Sequence, residues 1–588
     1  MLTTALLPGI LATSGADVRD VALPAGTVTE QVDRVLLHRW NLEPLAGTTD
    51  GDRAFVLSRI ARRTGGRVAD EEIVACLHRR PGDLAALLPP FGAVSGSGRS
   101  VQAVADSMGF QHLFHSEPGS SPGMISSSAL VAGRALGAPL DRAAVGIQSL
   151  LGWQMGRRTL FEGLHKLMPA AVATLSGEGV AVTDAEGAPL EPISASEAVT
   201  KAADILRTSL NAILDDYPEA VLQLTGGMDS RVLLSAIPPA RRRGLRAMTL
   251  DVPGRGDTAI ARAISQQYGI RHDVRGLTDV SAVDPAEAWE LCCAEATRLD
   301  AMADPVALTA QRIAERAFDQ GVRISGLGGE VARGFYYVGR VADRSFDSKD
   351  SARLAAWRMF VNDSVEPGLL QGEFTSWAQD VAAAEVHDAL VAGGDEWFRA
   401  TDELYLRHRM QRWAGATDIA VSNERIVINP MLDHGFLDLA RRLTPQDKAN
   451  ARFLAALQMA LDPELGAIPL DGRPAPASYA HPSRWQPVTD LVTTGRRFAR
   501  KAVQRLQRGN RPPAGGTILA AKVVEHWRAR PEALRALERL DFIDADWTAR
   551  MLDGSVEPRP SSVAFLTNLI VATDDSDGPQ AGGPVSSP

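Results

Sequence analysis

The sequence predicts an α/β protein of more than one domain, and three observations support this. The chain has 588 residues, too many for one domain at roughly 100–200 residues per domain. Up to about residue 190, short β-like runs are separated by frequent Gly and Pro. From residue 221 onward apolar strands alternate with apolar helices, which is the pattern of βαβ units in a parallel sheet.

Short strands are predicted in the first part of the chain, at residues 91–94, 111–115 and 170–175. The segment 176–192 is rich in Gly, Glu, Asp and Pro, which predicts a linker. After it, Ser194 and Glu197 have the spacing of a capping box, and an apolar stripe predicts a helix to about Leu214. We therefore expect domains at 1–190 and 191–573.

In the second part, the predicted strands and helices follow one another closely. The strands are 221–224, 245–250 and 322–325, and the helices are 231–237, 258–268 and a helical stretch over 282–321. Most of the chain beyond Ser351 is predicted as helix. The last residues, 574–588, are polar and rich in Gly, Pro and Ser, which predicts a disordered tail.

Charge and cysteine content narrow the class of protein. With 62 Lys+Arg against 71 Asp+Glu, the net charge of −9 argues against a general nucleic-acid binder. The three cysteines, Cys76, Cys292 and Cys293, are too few for a disulfide framework or a Cys-based zinc site. We find no signal peptide and no run of about 18 apolar residues, so we expect no transmembrane segment and a cytoplasmic location.

The strongest chemical signal is a glycine turn between a predicted strand and a predicted helix, Thr225-Gly226-Gly227-Met228-Asp229-Ser230. Backbone N–H groups of such a turn and of the following helix converge where a phosphate can bind. The two hydroxyls can donate to phosphate oxygens, and Asp229 can hold the Mg²⁺ that accompanies a nucleotide. The turn is not a Walker A loop, because no Gly-Lys-Ser/Thr follows. A tight turn with an Asp cap is the alternative.

Two further glycine-bearing segments follow predicted strands, at residues 248–257 and 325–330. In an open parallel sheet, the loops at the carboxyl ends of neighbouring strands share one crevice, where ligands bind. The sequence therefore predicts that all three segments line a single site.

The first turn resembles the pyrophosphate loop, Ser-Gly-Gly-x-Asp-Ser, of ATP pyrophosphatases. Together with Asn429-Pro430-Met431-Leu432-Asp433, the three segments resemble the synthetase domain of the asparagine synthetase superfamily. The resemblance implies an ATP-pyrophosphatase domain in which Asp229 and Glu330 hold Mg²⁺, with Glu330 where the family usually has Asp. It also implies that Ser230 is catalytic and that a cation acts on the leaving phosphates; Lys448 and Arg452 both lie near that place, and Lys448 is favoured. The residues implied to surround ATP are Leu224, Thr225, Gly226, Gly227, Asp229, Ser230, Leu250, Ser325 and Gly326.

The first 190 residues resemble the glutaminase half of glutamine-dependent asparagine synthetases, at 91–94, 110–114, 126–128 and especially 159–169. This implies an Ntn-type α/β/β/α sandwich. That half uses the thiol of an N-terminal cysteine, and here the matching position is Leu2. Cys76 lies in a helical stretch, is expected to be buried, and cannot substitute. We therefore expect a domain that makes no ammonia and packs against the synthetase half.

Relatives without that cysteine include β-lactam synthetase-like enzymes and lasso peptide cyclases. Residues 328–337 and 409–415 are more similar to the cyclases. The resemblance implies an ATP- and Mg²⁺-dependent ligase that joins an Asp or Glu side chain of a core peptide to its N-terminal amine. A leader-binding protein and a leader peptidase are possible partners. Five residues are candidates for the wall of the peptide cleft, with a core role as the alternative: Tyr336, Tyr337, Arg409, Arg412 and Trp413.

Other interpretations stay open. The chain could be a β-lactam synthetase-like or ammonia-using amide ligase, or a catalytically silent scaffold that binds a peptide. The basic stretch 496–511 could contact a partner protein, an acidic leader or a membrane surface, or form a solvated helix face.

Overall fold

The computed structural model describes residues 5–15, 21–48, 52–185, 190–252, 256–276, 278–316, 321–422, 424–480 and 515–573. Within these ranges the protein has two large antiparallel sheets, one parallel sheet and many helices, which confirms the predicted mixed α/β class. Leu2, the basic stretch 496–511 and the tail 574–588 lie outside the described residues.

The strands fall into an antiparallel group, β1–β13, and a parallel group, β14–β18. In chain order they are β1 (Gly9–Ser14), β2 (Val28–Val32), β3 (Val35–Trp40), β4 (Arg53–Val56), β5 (Arg62–Arg63), β6 (Gly66–Arg67), β7 (Gly92–Ser97), β8 (Ser100–Ala105), β9 (Phe114–Ser116), β10 (Gly123–Ser126), β11 (Leu164–Lys166), β12 (Val172–Ser176), β13 (Gly179–Thr183), β14 (Val221–Gln223), β15 (Arg246–Asp251), β16 (Arg271–Gly276), β17 (Val322–Ile324) and β18 (Ile426–Ile428).

The helices are numbered in the same way. They are α1 (Asp70–Arg79), α2 (Ala129–Leu136), α3 (Arg142–Leu151), α4 (Ala195–Asp216), α5 (Asp229–Ala236), α6 (Pro239–Arg242), α7 (Asp257–Tyr268), α8 (Pro285–Arg298), α9 (Pro305–Glu315), α10 (Ser348–Leu354), α11 (Gly372–Ala392), α12 (Trp397–Leu404), α13 (Ala416–Val421), α14 (His434–Arg442), α15 (Pro445–Lys448), α16 (Arg452–Leu461), α17 (Pro463–Gly466), α18 (Pro476–Ala480), α19 (Gly515–Ala529), α20 (Ala545–Leu552) and α21 (Pro560–Thr573).

The N-terminal region, residues 5–183, is built on two facing antiparallel sheets. One has the strand order β11-β9-β10-β1-β3-β2 and the other β13-β12-β8-β7-β4. Alternate side chains of both sheets, such as Ile10 and Leu37 from one and Val94 and Ala103 from the other, are buried in a shared apolar cluster. This alternation is what a strand needs to present one face to a core.

Helices cover the outer face of each sheet. Ile73 and Leu77 of α1 pack on the sheet that contains β7 and β8. On the opposite side, Leu130 of α2 and Ile147 of α3 belong to a cluster with Leu11 of β1. The layers are therefore helix, sheet, sheet, helix.

In the C-terminal region, from residue 190 onward, five parallel strands are ordered β16-β15-β14-β17-β18. The register places Leu222 beside Ala247 on one side and Ile324 on the other. Ser194 caps α4, accepting from the Glu197 N–H at 3.3 Å. The predicted strands and helices between residues 194 and 268 are confirmed to within two residues.

Some elements differ from the sequence prediction. The predicted linker 176–192 is wrong in its first half, because β13 pairs there with β12 in a hairpin. The helical stretch predicted over 282–321 is broken between α8 and α9, where Asp300 and Ala301 have positive φ. The strands β16 and β18 were not predicted. Cys76 lies on α1 as expected but is only half-buried.

One continuous helix of the C-terminal region packs against the N-terminal region. It runs through α12, an 11-residue π-helical segment, Tyr405–Gly415, and α13. In the π-helical segment, Gln411 donates to the Leu167 carbonyl at 3.4 Å and Gly415 packs on Phe110. No helix of the described residues combines the length and the apolar character that a bilayer crossing needs.

Candidate functional site

The glycine turn lies at the carboxyl end of β14, in the middle of the parallel sheet. Leu224 is fully buried, and its N–H donates to the Met248 carbonyl at 2.9 Å, which ties the turn to β15. The Ser230 hydroxyl lies 3.1 Å from both the N–H and the hydroxyl of Thr225. The predicted phosphate-binding hydroxyls therefore contact each other and shape the turn.

The structure brings Asp229 and Glu330 together, as the resemblance implied. Asp229 is the first residue of α5, and Glu330 lies in a short 3₁₀ turn, Gly329–Ala332, after β17. One nitrogen of Arg333, Nη2, lies 3.2 Å from Asp229 Oδ2 and 3.1 Å from Glu330 Oε1. A single guanidinium thus bridges one oxygen of each carboxylate.

Glycines allow this close approach of two loops. A Cβ at Gly329 would lie 2.5 Å from Asp229 Oδ1, and one at Gly326 would lie 3.0 Å from the Ser230 nitrogen. Any side chain at Gly329 would therefore push the carboxylate away. The predicted site residue Gly326 is confirmed as a neighbour of the glycine turn.

The electrostatics around Asp229 are unusual. Burial, and next the Glu330 carboxylate, raise the pKa of Asp229 to about 7, while Arg333 and Arg473 act in the opposite direction. Two buried carboxylates at one place favour a proton or a cation between them.

The free oxygens fit a magnesium ion. Asp229 Oδ1 and Glu330 Oε2 are buried, and neither has a hydrogen-bond partner within the described ranges. Buried oxygen atoms without a hydrogen-bond partner destabilise the folded protein unless a cation is bound. Mg²⁺ on a nucleotide takes one or two protein carboxylates, with phosphate and water oxygens as its other ligands. The same part of the chain holds no group of three or more metal-ligating side chains, so these two carboxylates would be the protein's contribution.

A loop at residues 468–473 is attached to the glycine turn. Arg231, fully buried on α5, donates to the carbonyls of Ile468 and Pro469. The Asp471 N–H donates to the Gly226 carbonyl at 3.2 Å. This attachment brings Arg473 close enough to act on Asp229.

Lys448, the favoured phosphate-binding cation, is paired with a different carboxylate. It is 2% exposed and forms a close ion pair with Asp402, whose carboxylate also accepts from the Tyr337 hydroxyl at 2.8 Å. Arg452, the alternative, is exposed at the start of α16. The cations that act on Asp229 are instead Arg333 and Arg473. Sequence reasoning missed both, although Arg333 lies inside the 328–337 segment.

The candidate cleft residues separate into two groups. Arg409 lies over the rings of Trp413, Phe335 and Trp153, at 4.9, 5.4 and 5.9 Å from their centres. Trp413 is 39% exposed. Arg409 and Trp413 therefore lie together at the surface, and the buried Trp153 of the N-terminal region lies beneath Arg409.

The other candidates are less accessible. Tyr336 is 3% exposed, and Tyr337 is partly buried, with its hydroxyl donating to Asp402. Arg412 is fully buried, and it donates to Gln154 Oε1 at 2.8 Å and to the Arg158 carbonyl. It does not line a cleft: its side chain points into the N-terminal region, so its expected role is corrected to one in the interface.

The aromatic surface is linked to the carboxylate pair through Tyr405. Its ring stacks on Phe335 with 4.4 Å between ring centres. Burial, and next the Glu330 carboxylate, raise the pKa of Tyr405, while Arg409 and Arg333 oppose this. The charges of Glu330 and Arg333 at the carboxylate pair and of Arg409 at the aromatic surface therefore all act on the Tyr405 hydroxyl.

The remaining predicted nucleotide contacts lie at the same edge of the sheet. Leu250, near the end of β15, is partly buried. Ser325 directly follows β17, and its hydroxyl accepts from the Leu327 N–H at 3.3 Å. Both positions agree with a crevice formed at the carboxyl ends of parallel strands.

The sequence matches no protein-family profile and no curated protein. Among solved structures, it is similar to one described as the allosteric regulatory enzyme of purine biosynthesis, with 10% sequence identity and a TM-score of 0.20. That similarity covers 46% of this chain and 76% of the other. It is too low to bear on the fold or the function.

Proposed function

We propose that the protein is an ATP-dependent, AMP-forming ligase that closes a peptide into a macrolactam, as in lasso peptide biosynthesis. The observation that carries the proposal is the meeting of Asp229 and Glu330, with two unpartnered oxygens, beside a glycine turn. The similarity of residues 328–337 and 409–415 to cyclases supports the proposal that the substrate is a peptide.

The proposed reaction has two steps. First, an oxygen of an Asp or Glu side chain attacks the α-phosphorus of ATP, the bond to the β-phosphate oxygen breaks, and pyrophosphate leaves with the electron pair. Next, the peptide's N-terminal amine attacks the activated carbonyl carbon, AMP leaves, and the amine loses a proton. The product is an isopeptide bond.

The residues of this chain have separate tasks in the first step. Asp229 and Glu330 would hold Mg²⁺, which when bound lowers the charge repulsion at the phosphates. Amides of the glycine turn donate to phosphate oxygens, and Arg333 and Arg473 balance the charge of the departing pyrophosphate. The Ser230 hydroxyl keeps the turn in shape through its contacts with Thr225.

The second step is mainly a matter of position, since the amine and the activated carbonyl belong to the same peptide. The surface of Arg409 and Trp413 is a suitable wall, because rings and a guanidinium can hold a folded peptide without fixing its sequence. The N-terminal region supports this wall from behind, since the buried Trp153 lies against Arg409.

A panel of substrates tests the proposal. We expect AMP release, and loss of water from the peptide by mass spectrometry, with ATP, Mg²⁺ and leader-free core peptides that contain an Asp or Glu. AMP release with aspartate and ammonium would indicate an asparagine synthetase-like enzyme, and release with small β-amino acid substrates a β-lactam synthetase-like one. Nucleotide binding without any turnover would indicate a silent scaffold.

A further inference from the structure

The central amide of the glycine turn already has an anionic partner. The Gly226 N–H donates a 2.9 Å hydrogen bond to Asp257 Oδ1 at the start of α7. A Cβ at Gly226 would lie 3.0 Å from that oxygen, so glycine allows the carboxylate to come this close. Such an amide is a donor that a phosphate oxygen would use.

Both polar backbone groups of Gly226 are bonded to neighbouring loops. While Asp257 takes the Gly226 N–H, the Asp471 N–H donates to the Gly226 carbonyl at 3.2 Å. Asp471 in turn lies against the residue before Asp257, since a Cβ at Gly256 would be 2.5 Å from Asp471 Oδ1. The Asp257 carboxylate is therefore held at the turn by the packing of two loops.

We propose that Asp257 is a specificity-determining residue that makes the turn select metal-complexed over metal-free polyphosphate. An incoming phosphate competes with the Asp257 carboxylate for the same N–H, and two anions at one donor repel each other. The repulsion is largest for free pyrophosphate and smaller when Mg²⁺ lowers its charge. The inference rests on the proposed nucleotide site but not on the peptide substrate.

The test compares Asp257→Asn with the wild-type protein, using inorganic pyrophosphate as the probe in isothermal titration calorimetry. Asparagine keeps an oxygen for the Gly226 N–H and removes only the charge. We expect the Kd for pyrophosphate in EDTA to fall at least about tenfold, and the Kd for pyrophosphate in excess Mg²⁺ to change little. Asp251→Asn is the matched control, because the Asp251 carboxylate accepts from Thr258 and not from the turn.

Other results would contradict the inference, the proposed function or both. If Asp257→Asn binds metal-free pyrophosphate no more tightly, the carboxylate does not compete. If it binds the Mg²⁺ complex more weakly, Asp257 supports the turn or the metal, and an equal gain in Asp251→Asn would show a general charge effect. Wild-type protein that binds neither form has no phosphate site, which overturns the inference and the proposed function. Tight binding of the Mg²⁺ complex without peptide turnover would overturn the proposed function alone.

Discussion

The Arg412 guanidinium donates a 2.8 Å hydrogen bond to the side-chain oxygen of Gln154, across 258 positions of sequence. Both side chains are buried. A buried guanidinium depends on hydrogen-bond acceptors such as this neutral oxygen. With the bonds from Gln411 to Leu167 and from Arg412 to Arg158, this bond joins the π-helical segment to the N-terminal region.

Replacing Gln154 by Leu removes that acceptor. We expect the free energy of unfolding to fall by about 2 kcal/mol, since hydrogen bonds to charged groups contribute about 1.5–3 kcal/mol. Urea unfolding measures the change. Gln446→Leu, which removes an exposed hydrogen bond to Asp343, serves as the control, and equal losses in both variants would contradict the anchoring role.

Asp229→Ala removes half of the proposed magnesium site. We expect AMP formation to fall about 100-fold or more, with little change in the thermal unfolding midpoint, because Arg333 keeps its contact with Glu330. AMP release and a thermal melt are measured on the same sample. Asp273→Ala, an exposed carboxylate on β16, is the matched control. A fully active Asp229→Ala protein would refute the magnesium role.

Gly329→Ala tests the close approach of the two loops. A Cβ at this position would lie 2.5 Å from Asp229 Oδ1, so we expect the carboxylate to move and AMP formation to fall at least about tenfold. At Gly372 a Cβ would meet no atom within 4 Å. Gly372→Ala should therefore be fully active, and equal activity of the two variants would show that the approach is unimportant.

Arg473→Met tests the cation that the sequence did not reveal. Its charge acts on Asp229, so we expect its loss to weaken the binding of Mg²⁺-pyrophosphate about tenfold while the affinity for AMP stays the same. Calorimetry with the two ligands separates these effects. Arg353, 71% exposed on α10, provides the control variant Arg353→Met. A parallel loss of AMP affinity would indicate damage to the whole site.

His115 predicts a dependence of stability on pH. Burial lowers its pKa from the ordinary 6.5 to about 4. Between these values the unfolded chain binds a proton that the folded protein does not, so stability falls as the pH drops from 6.5 to 4, by up to about 1.4 kcal/mol per unit.

His115→Gln should lack this contribution to the pH dependence, as seen in urea unfolding at pH 6.5 and pH 4.5. His434→Gln, which removes an exposed histidine, should keep it. A slope in His115→Gln as steep as in the wild-type protein would contradict the burial argument.

The sequence predicted the parts of the fold that follow a regular pattern. The apolar runs around residues 221–250 could be assigned to neighbouring parallel strands because each is followed by a glycine turn and a helix. β16 was missed because Arg271, His272 and Asp273 interrupt any apolar pattern. β18 has only three residues and follows a long helix, and β13 has the Gly and Glu content of a linker.

The candidate site was predictable where one short segment carries its own chemistry. Asp229 belongs to the glycine turn, and Glu330 follows a strand of the same sheet. Arg473 and Asp257 gave no such signal, because their roles come from loops that meet only in three dimensions. Arg412 shows the reverse error: it is next to the exposed Trp413 in sequence, but it is itself buried against the N-terminal region.

The helix from α12 to α13 makes the stability of the candidate site depend on the N-terminal region. Its π-helical turns are bonded to that region at Gln411 and Arg412, and the same turns carry Tyr405, on which the charges of Glu330 and Arg409 act. If the N-terminal region were removed, a buried guanidinium would lose both of its oxygen partners. The N-terminal region therefore acts as a brace for the π-helical segment, and any change that loosens it should be felt at Tyr405.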